Sequence, residues 1–210
     1  LRCPPRMDCR QVTVGYLFYF FSDISMDALQ TTVVPRHWYA LRVTYSRELA
    51  LKKWLDGKHI DNFIPMHYEY RMLGERKVRK LMPAVHNLVF VCVTRRQLTD
   101  IHDHPELPVP VRYILDRETR RPVVIPDDQM RNFIAVAGNY EETLLYFDPS
   151  ELNLPKGTRV RITGGVFEGV EGVFVRIRHD RRVVVAIEGI MAVATTFIPP
   201  SMIEPVEVEH

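Results

Sequence analysis

Five basic residues lie close together around a glycine at which a hairpin tip is predicted. They are Arg71, Arg76, Lys77, Arg79 and Lys80, and the glycine is Gly74. Lysine and arginine side chains contact the phosphates of DNA and RNA, so this group could bind nucleic acid. A solvated surface hairpin accounts for the same residues equally well. The sequence leaves both interpretations open.

The segment His102-Asp103-His104 contains residue types that bind metal ions. A metal site needs three or four ligands held in place by a second shell of partners, and the sequence offers no further ligand cluster. It also lacks a phosphate-cradling GxxxxGK[ST] loop, an HExxH motif and an evident nucleophile–base arrangement. We therefore predict no metal, no cofactor and no enzymatic activity.

The composition is that of a soluble globular protein. The 210 residues include 28 basic and 26 acidic ones, 46% are hydrophobic and 26% are charged, which excludes a disordered or low-complexity chain. Three cysteines are too few for a disulfide-stapled domain, so a reducing, cytoplasmic location is expected. The aromatic-rich uncharged run at residues 11–22 is shorter than the ~20 residues of a membrane helix, and no cleavage pattern follows it. No membrane partner is predicted, and residues 1–35 are expected to form a poorly ordered extension.

The charge changes along the chain. Residues 36–137 contain 18 basic and 12 acidic residues, whereas residues 138–154 contain four acidic residues and no basic one. Residues 155–210 contain seven of each. The mildly basic first segment is compatible with a nucleic-acid neighbour, although many inert domains carry as much charge. The acidic segment has no regular period and is predicted to be a linker.

Residues 36–137 predict an α+β domain. Strands are expected at 38–43, 88–93, 111–115 and 122–125, with a polar hairpin at 67–80. Helices are expected after Ser46, which resembles an N-cap, at 97–102, and from Asp127 onward. The run at 88–93 is apolar throughout, which is typical of a strand covered on both faces. Strands mixed with two or three helices indicate the α+β class.

Residues 155–205 predict a small all-β barrel, followed by a tail at 206–210. Val173, Val175 and Ile177 alternate with other residues at a period of two, and short strands of this kind follow one another at close spacing. Glycines occupy the turns between them. This pattern favours strands over a helical hairpin.

The segment from Gly157 to Phe174 resembles a KOW motif. A strand leads into the Gly164-Gly165 turn, and a further glycine, Gly169, precedes the next strand. Gly165 and Gly169 can adopt positive φ, which lets the backbone pass close to the barrel wall. With the preceding domain in this order, residues 36–204 resemble the NusG-like transcription elongation factors, which join an NGN domain to a KOW domain. The specialised paralogues UpxY and RfaH are similar in style.

The resemblance implies a factor that binds RNA polymerase and suppresses pausing or termination, as the relatives that serve polysaccharide (capsule) operons do. In the family, the stretch that enters the central strand grips the clamp helices of the polymerase. The matching residues here are Val85, His86, Leu88 and Phe90, although the usual Phe-Pro-Gly-Tyr is absent. Taken alone, Leu88 and Phe90 fit a domain core; the resemblance adds the alternative that Leu88, at the strand entrance, lies on a face that is free for the partner. Thr99 and His102 fall where RfaH-like members contact a second polymerase element, and a plain surface helix is the alternative there.

The resemblance also indicates a partner loop in the barrel, made by Phe167, Ile187, Glu188 and Ile190. NusG places an exposed phenylalanine in this loop, where it meets Rho or a ribosomal protein. A charge at Glu188 removes that contact, so recruitment of Rho is not expected, and a ribosomal protein stays a candidate partner. The alternative function is a KOW-type RNA-binding or ribosome-associated module.

Overall fold

The computed structural model describes residues 34–140, 143–148, 157–177 and 179–206. The chain divides into a unit of Leu1–Arg36 and a unit of His37–His210, and the second contains all of the strands and helices given below. The predicted N-terminal extension and C-terminal tail lie almost entirely outside the described residues. No helix among the described residues is long and apolar enough to cross a lipid bilayer.

The first part of the second unit is built on a four-stranded antiparallel sheet. Its strands are β1 (His37–Val43), β2 (Asp61–Phe63), β5 (Leu88–Val93) and β6 (Val111–Tyr113), in the spatial order β2-β5-β1-β6. All six residues of β5 are buried, as its unbroken apolar sequence predicts. The strand is therefore covered on both faces.

A long hairpin forms a sheet of its own beside this one. It consists of β3 (Met66–Leu73) and β4 (Arg76–Pro83), which pair only with each other in the described structure. Gly74 lies in the turn with φ of +63°, a conformation that glycine adopts without steric cost. The predicted hairpin tip is confirmed.

Three helices cover the four-stranded sheet on opposite faces. They are α1 (Glu48–Gly57), α2 (Arg95–His102) and α3 (Asp127–Ala137). The first two pack with Val89 and Val91, whereas α3 packs with Leu88 and Phe90. The alternation of side chains along β5 explains this division, because neighbouring residues point to opposite faces.

Three local predictions need correction. Ser46 is not an N-cap: Arg47 occupies that position without a side-chain cap, and Ser46 has a left-handed φ of 51°. The helix predicted at 97–102 begins earlier, because Thr94 and Gln97 form a capping box. Residues 122–125 make isolated bridges instead of a strand. The prolines that flank that segment lack an N–H and interrupt a ladder.

The C-terminal part is a six-stranded antiparallel sheet. Its strands are β7 (Leu145–Phe147), β8 (Thr158–Ile162), β9 (Glu171–Ile177), β10 (Asp180–Ile187), β11 (Met191–Ala194) and β12 (Ile203–Pro205). The spatial order is β12-β8-β9-β10-β11-β7, so the described strands form a sheet with two edges and not a closed ladder. The prediction of a β-rich segment is confirmed, and closure into a barrel stays a prediction. Strand β7 lies within the range predicted as a linker.

Two glycines in this sheet behave as the motif predicts. Gly165 and Gly169, in the turn between β8 and β9, have φ of +84° and +83°. A third, Gly172, allows a close approach, because a Cβ atom there would lie 2.5 Å from the carbonyl oxygen of Val184. Any side chain at Gly172 would therefore push β9 and β10 apart.

Candidate functional site

The first predicted site is the face of β5 that carries Leu88 and Phe90. Both side chains are buried, with exposed fractions of 1% and 0%. The Phe90 ring lies 5.6 Å from that of Phe133 on α3 and 6.5 Å from that of Phe63 on β2, measured between centroids. Aromatic pairs at these distances stabilise one another beyond the area that they bury. Phe90 is thus part of the domain core.

The same apolar cluster continues into the C-terminal sheet. It joins Leu88, Phe90 and the buried side of α3 to residues of β8, β10 and β11, among them Ile162 and Val185. The expectation that Leu88 lies on a face free for a partner is therefore wrong for this arrangement. The polymerase-binding role of Leu88 and Phe90 stays a prediction.

Two hydrogen bonds connect α3 to the C-terminal sheet, one at the first residue of β9 and one in the loop after β10. The side-chain oxygen of Asn132 accepts the N–H of Glu171 at 3.1 Å, and that of Gln129 accepts the N–H of Glu188 at 3.1 Å. Each bond is directional, so together they orient the helix on the sheet as well as attach it. Helix α3 therefore lies between the two sheets.

The loop before β5 holds the next predicted residues, Val85 and His86. Val85 packs partly against the apolar cluster, whereas His86 is exposed. The following residue, Asn87, has a left-handed φ of 62°. Asparagine tolerates this conformation better than most residues, so it allows a sharp bend at the strand entrance.

A hydrogen-bond network that the sequence reasoning missed holds this bend. The carboxylate of Glu48, which is only 1% exposed, accepts the backbone N–H of Asn87. The Asn87 side-chain oxygen accepts the N–H of Ser46 at 3.0 Å, and its carbonyl accepts the N–H of Val43 at 3.1 Å. The network ties the start of α1 to the loop that presents His86. A buried carboxylate needs such partners, because an unpaired one is costly.

Thr99 and His102 lie on the exposed side of α2. The His102 ring is 5.0 Å from that of Tyr113, and its Nδ1 lies 2.7 Å from the Asp103 carboxylate. Burial raises the pKa of Tyr113, and the negative charge of Asp103 acts in the same direction. No group of three or more potential metal ligands occurs in the part of the chain that the structure describes.

The predicted partner loop of the C-terminal sheet is mostly inaccessible. Phe167, Ile187 and Ile190 have exposed fractions of 5%, 1% and 1%. Glu188 is exposed, and its backbone N–H is bound by Gln129 of α3. In this arrangement the loop therefore faces α3, and only the Glu188 side chain is offered to another molecule.

The basic side chains of the β3–β4 hairpin are exposed. The five predicted side chains, Arg71, Arg76, Lys77, Arg79 and Lys80, all lie at the surface of β3 and β4. Arg71 is paired with Glu69, whose carboxylate lies 3.1 Å from its Nη2. Exposed ion pairs of this kind contribute little to stability, so stabilisation of the fold does not account for Arg71 at this position.

Two of these cations contact aromatic rings that the sequence analysis did not single out. Lys77 Nζ lies 4.3 Å from the centre of the Tyr70 ring, and the Arg79 guanidinium lies 3.7 Å from that of Tyr68. The signal was present in the sequence, since tyrosines at 68 and 70 share one face of a strand. The strand register was needed to place the cations on the same face.

Comparison with known proteins identifies the first domain. Residues 36–134 match the family model described as NusG, transcription termination factor nusG. Among solved structures, "Domain interaction in Thermotoga maritima NusG" is 21% identical, covers 82% of this chain and 98% of its own, and has a TM-score of 0.42. No match was found among curated proteins. The family match shows a NusG-like domain at 36–134, and a β-rich segment follows it.

Proposed function

We propose that this chain is a NusG-like transcription factor that binds RNA polymerase in the cytoplasm and suppresses pausing or termination, without catalysing a reaction. The observation that carries the proposal is the match of residues 36–134 to the NusG family model. By bridging the polymerase cleft, the bound domain opposes opening of the clamp. The paused state then loses population relative to the elongating one, because the factor binds the elongating state more tightly.

In this proposal the exposed loop makes the first contact. His86 is accessible as the molecule stands, and the Glu48–Asn87 network holds its loop in one conformation. A loop that is already ordered loses less conformational entropy when it binds. Thr99 and His102, on the exposed side of α2, supply the second contact.

Leu88 and Phe90 take part only if the molecule opens. Both belong to the cluster that α3 and the C-terminal sheet cover, so a partner reaches them only after that cover moves. The free energy of binding to the polymerase must then offset the loss of the apolar contacts under the cover. Binding at this face is therefore slower or weaker than binding at the loop while the cover stays in place.

The exposed charge of Glu188 favours a specialised factor over a housekeeping one. Rho recruitment through an exposed phenylalanine is not available to this loop. We propose that the target is a dedicated operon, such as one for a surface polysaccharide, and that the basic hairpin contacts nucleic acid in the elongation complex. A ribosomal protein stays a candidate partner of the C-terminal sheet.

The test is binding of the full chain to purified RNA polymerase, with ribosome co-sedimentation measured in parallel. We expect the chain to bind polymerase, and the His86→Glu variant to lose most of that binding without a change in its melting temperature. His59→Glu is the matched control, because His59 is exposed at the far end of α1. Co-sedimentation with ribosomes and no binding to polymerase would instead support the RNA-binding or ribosome-associated module.

A further inference from the structure

The two faces of the β3–β4 hairpin differ in chemistry. The register pairs Tyr70 with Arg79 and Met72 with Lys77, which places these side chains on one face with Tyr68. We call this set the tyrosine face (Tyr68, Tyr70, Met72, Lys77 and Arg79). The opposite face carries Glu69, Arg71, Arg76, Val78 and Lys80.

The tyrosine face combines exposed rings with cations and contains no acidic residue. Tyr70 and Met72 are 50% and 65% exposed. The acidic residues of the hairpin lie elsewhere: Glu69 is on the opposite face and Glu75 is in the turn. The hairpin itself therefore places positive but not negative side chains on this face.

The aromatic and basic groups on this face are stacked in pairs. The Arg79 guanidinium carbon lies 3.7 Å from the centre of the Tyr68 ring, and Tyr68 meets Tyr140 edge to face at 6.4 Å. These contacts hold the base of the face against the body of the domain. Lys77 and Tyr70, nearer the tip, form the second pair. The result is a set of tyrosine rings and cations whose positions are fixed by contacts within the protein before any ligand arrives.

We propose that the tyrosine face binds single-stranded RNA by stacking its unpaired bases on Tyr70 and on the Tyr68–Arg79 pair, while Lys77 and Arg79 neutralise the adjacent phosphates. The proposal rests on the nucleic-acid contact proposed above for the same hairpin, and it specifies the ligand and the face. Unpaired RNA bases stack on aromatic rings and on guanidinium planes, and the tyrosine face offers both.

Other ligands fit the face less well. A duplex binds cations through its phosphates, but its bases are stacked on each other and are not available to stack on exposed rings. The carboxylates of an acidic protein segment could pair with the cations, but they have no planar ring that could stack on the tyrosines. RNA is favoured over DNA because the phenolic hydroxyl of Tyr70, on a half-exposed ring, can donate to or accept from a ribose 2′-hydroxyl.

The experiment measures binding of the full-length protein to four labelled probes by fluorescence anisotropy. The probes are a 12-nucleotide oligouridylate, its deoxy counterpart, a ribose-phosphate strand of equal length without bases, and a duplex. We expect the oligouridylate to bind most tightly. Tyr70→Leu should weaken its binding about tenfold, while the strand without bases is unaffected, because stacking is lost and the charges remain.

Two further variants serve as controls. Tyr70→Phe keeps the ring and should retain the stacking, with a loss of the preference for ribose over deoxyribose. Val78→Ala removes an apolar side chain from the opposite face and should leave binding unchanged, since Val78 is exposed beside the same cations. Both positions, Tyr70 and Val78, are at the surface, so the melting curves of the three variants should match that of the parent protein.

Three results would overturn the proposal. The first is that Tyr70→Leu binds the oligouridylate as well as the parent does, and the second is that it loses affinity equally for the strand without bases. Either result would rule out stacking on Tyr70. Tightest binding to the duplex or to the deoxy strand would reject single-stranded RNA as the ligand. The probes contain no polymerase, so the polymerase-binding test can fail while this one succeeds, and the reverse.

Discussion

The hairpin β3–β4 and the strand β5 follow one another in the chain, yet they differ in their exposure to solvent. The hairpin pairs only with itself in the described structure and exposes its cations, whereas every residue of β5 is buried. Both were predicted to bind partners. One is available as the molecule stands, and the other is covered by α3 and joined to the C-terminal sheet through a single apolar cluster.

The difference shows that a partner-binding surface cannot be recognised from apolar residues alone. In β5 the apolar side chains that would fit a partner also form part of the domain core. Burial of each large apolar side chain stabilises the fold by about 1.5–3 kcal/mol. The exposed cations Arg71, Arg76 and Lys80 have no such role in the core, because surface charges add little to stability. Substitutions should therefore separate the two regions by their effect on folding.

The largest expected effect comes from Leu88→Asp. A carboxylate at this buried position has no partner, so we expect the free energy of unfolding to fall by about 4 kcal/mol or more. Val78→Asp, on the exposed hairpin, should cost less than about 0.5 kcal/mol. Thermal and urea unfolding of both variants measure this. A Leu88→Asp protein that melts like the parent would show that the cover over β5 is open in solution.

A smaller effect is expected at Glu48. Replacement by alanine leaves the backbone N–H of Asn87 without its acceptor, which should cost about 1–3 kcal/mol. Glu48→Gln keeps a side-chain oxygen and should recover most of that loss. Glu75→Ala, at the exposed hairpin turn, is the comparison and should change the unfolding midpoint little. If Glu48→Ala and Glu75→Ala are equally harmless, the network does not hold the loop.

The contact between α3 and the C-terminal sheet gives a third prediction. Removing both side-chain acceptors with Gln129→Ala and Asn132→Ala should cost about 0.5–1.5 kcal/mol for each bond. Hydrogen exchange at the amides of Glu171 and Glu188 should become faster, because those N–H groups lose their acceptors. Unchanged exchange at both amides would contradict the docking of α3 on the C-terminal sheet.

The smallest effect on folding is expected from the hairpin cations. Replacing Arg76 and Lys77, one on each face of the hairpin, with glutamine should change stability by only about 0.5 kcal/mol per site. Nucleic-acid affinity should nevertheless fall, and it should fall more at low salt than at high salt, because phosphate contacts release counterions. Affinity that is unchanged at low salt would favour the solvated-hairpin interpretation.

Much of the fold was predictable because local patterns agree with it. The period of two in β9 and β10, the glycine turn of the hairpin and the apolar run of β5 each specify an element without reference to the rest of the chain. The errors fall where local patterns compete. Ser46 has the residue type of an N-cap, but its N–H is bound by the side chain of Asn87, 41 positions away in the sequence.

The sequence by itself determined the elements, the exposed cations of the hairpin and the resemblance to NusG-like factors. Only the tertiary structure decided that α1 and α3 cover opposite faces of β5, that Leu88 and Phe90 join the core, and that Lys77 and Arg79 lie against tyrosines. The physical reason is that periodicity assigns a residue to a face of its own element but does not say what packs against that face. That choice depends on contacts between residues far apart in the chain, as when Asn132 and Gln129 of α3 bind backbone N–H groups 39 and 59 residues away.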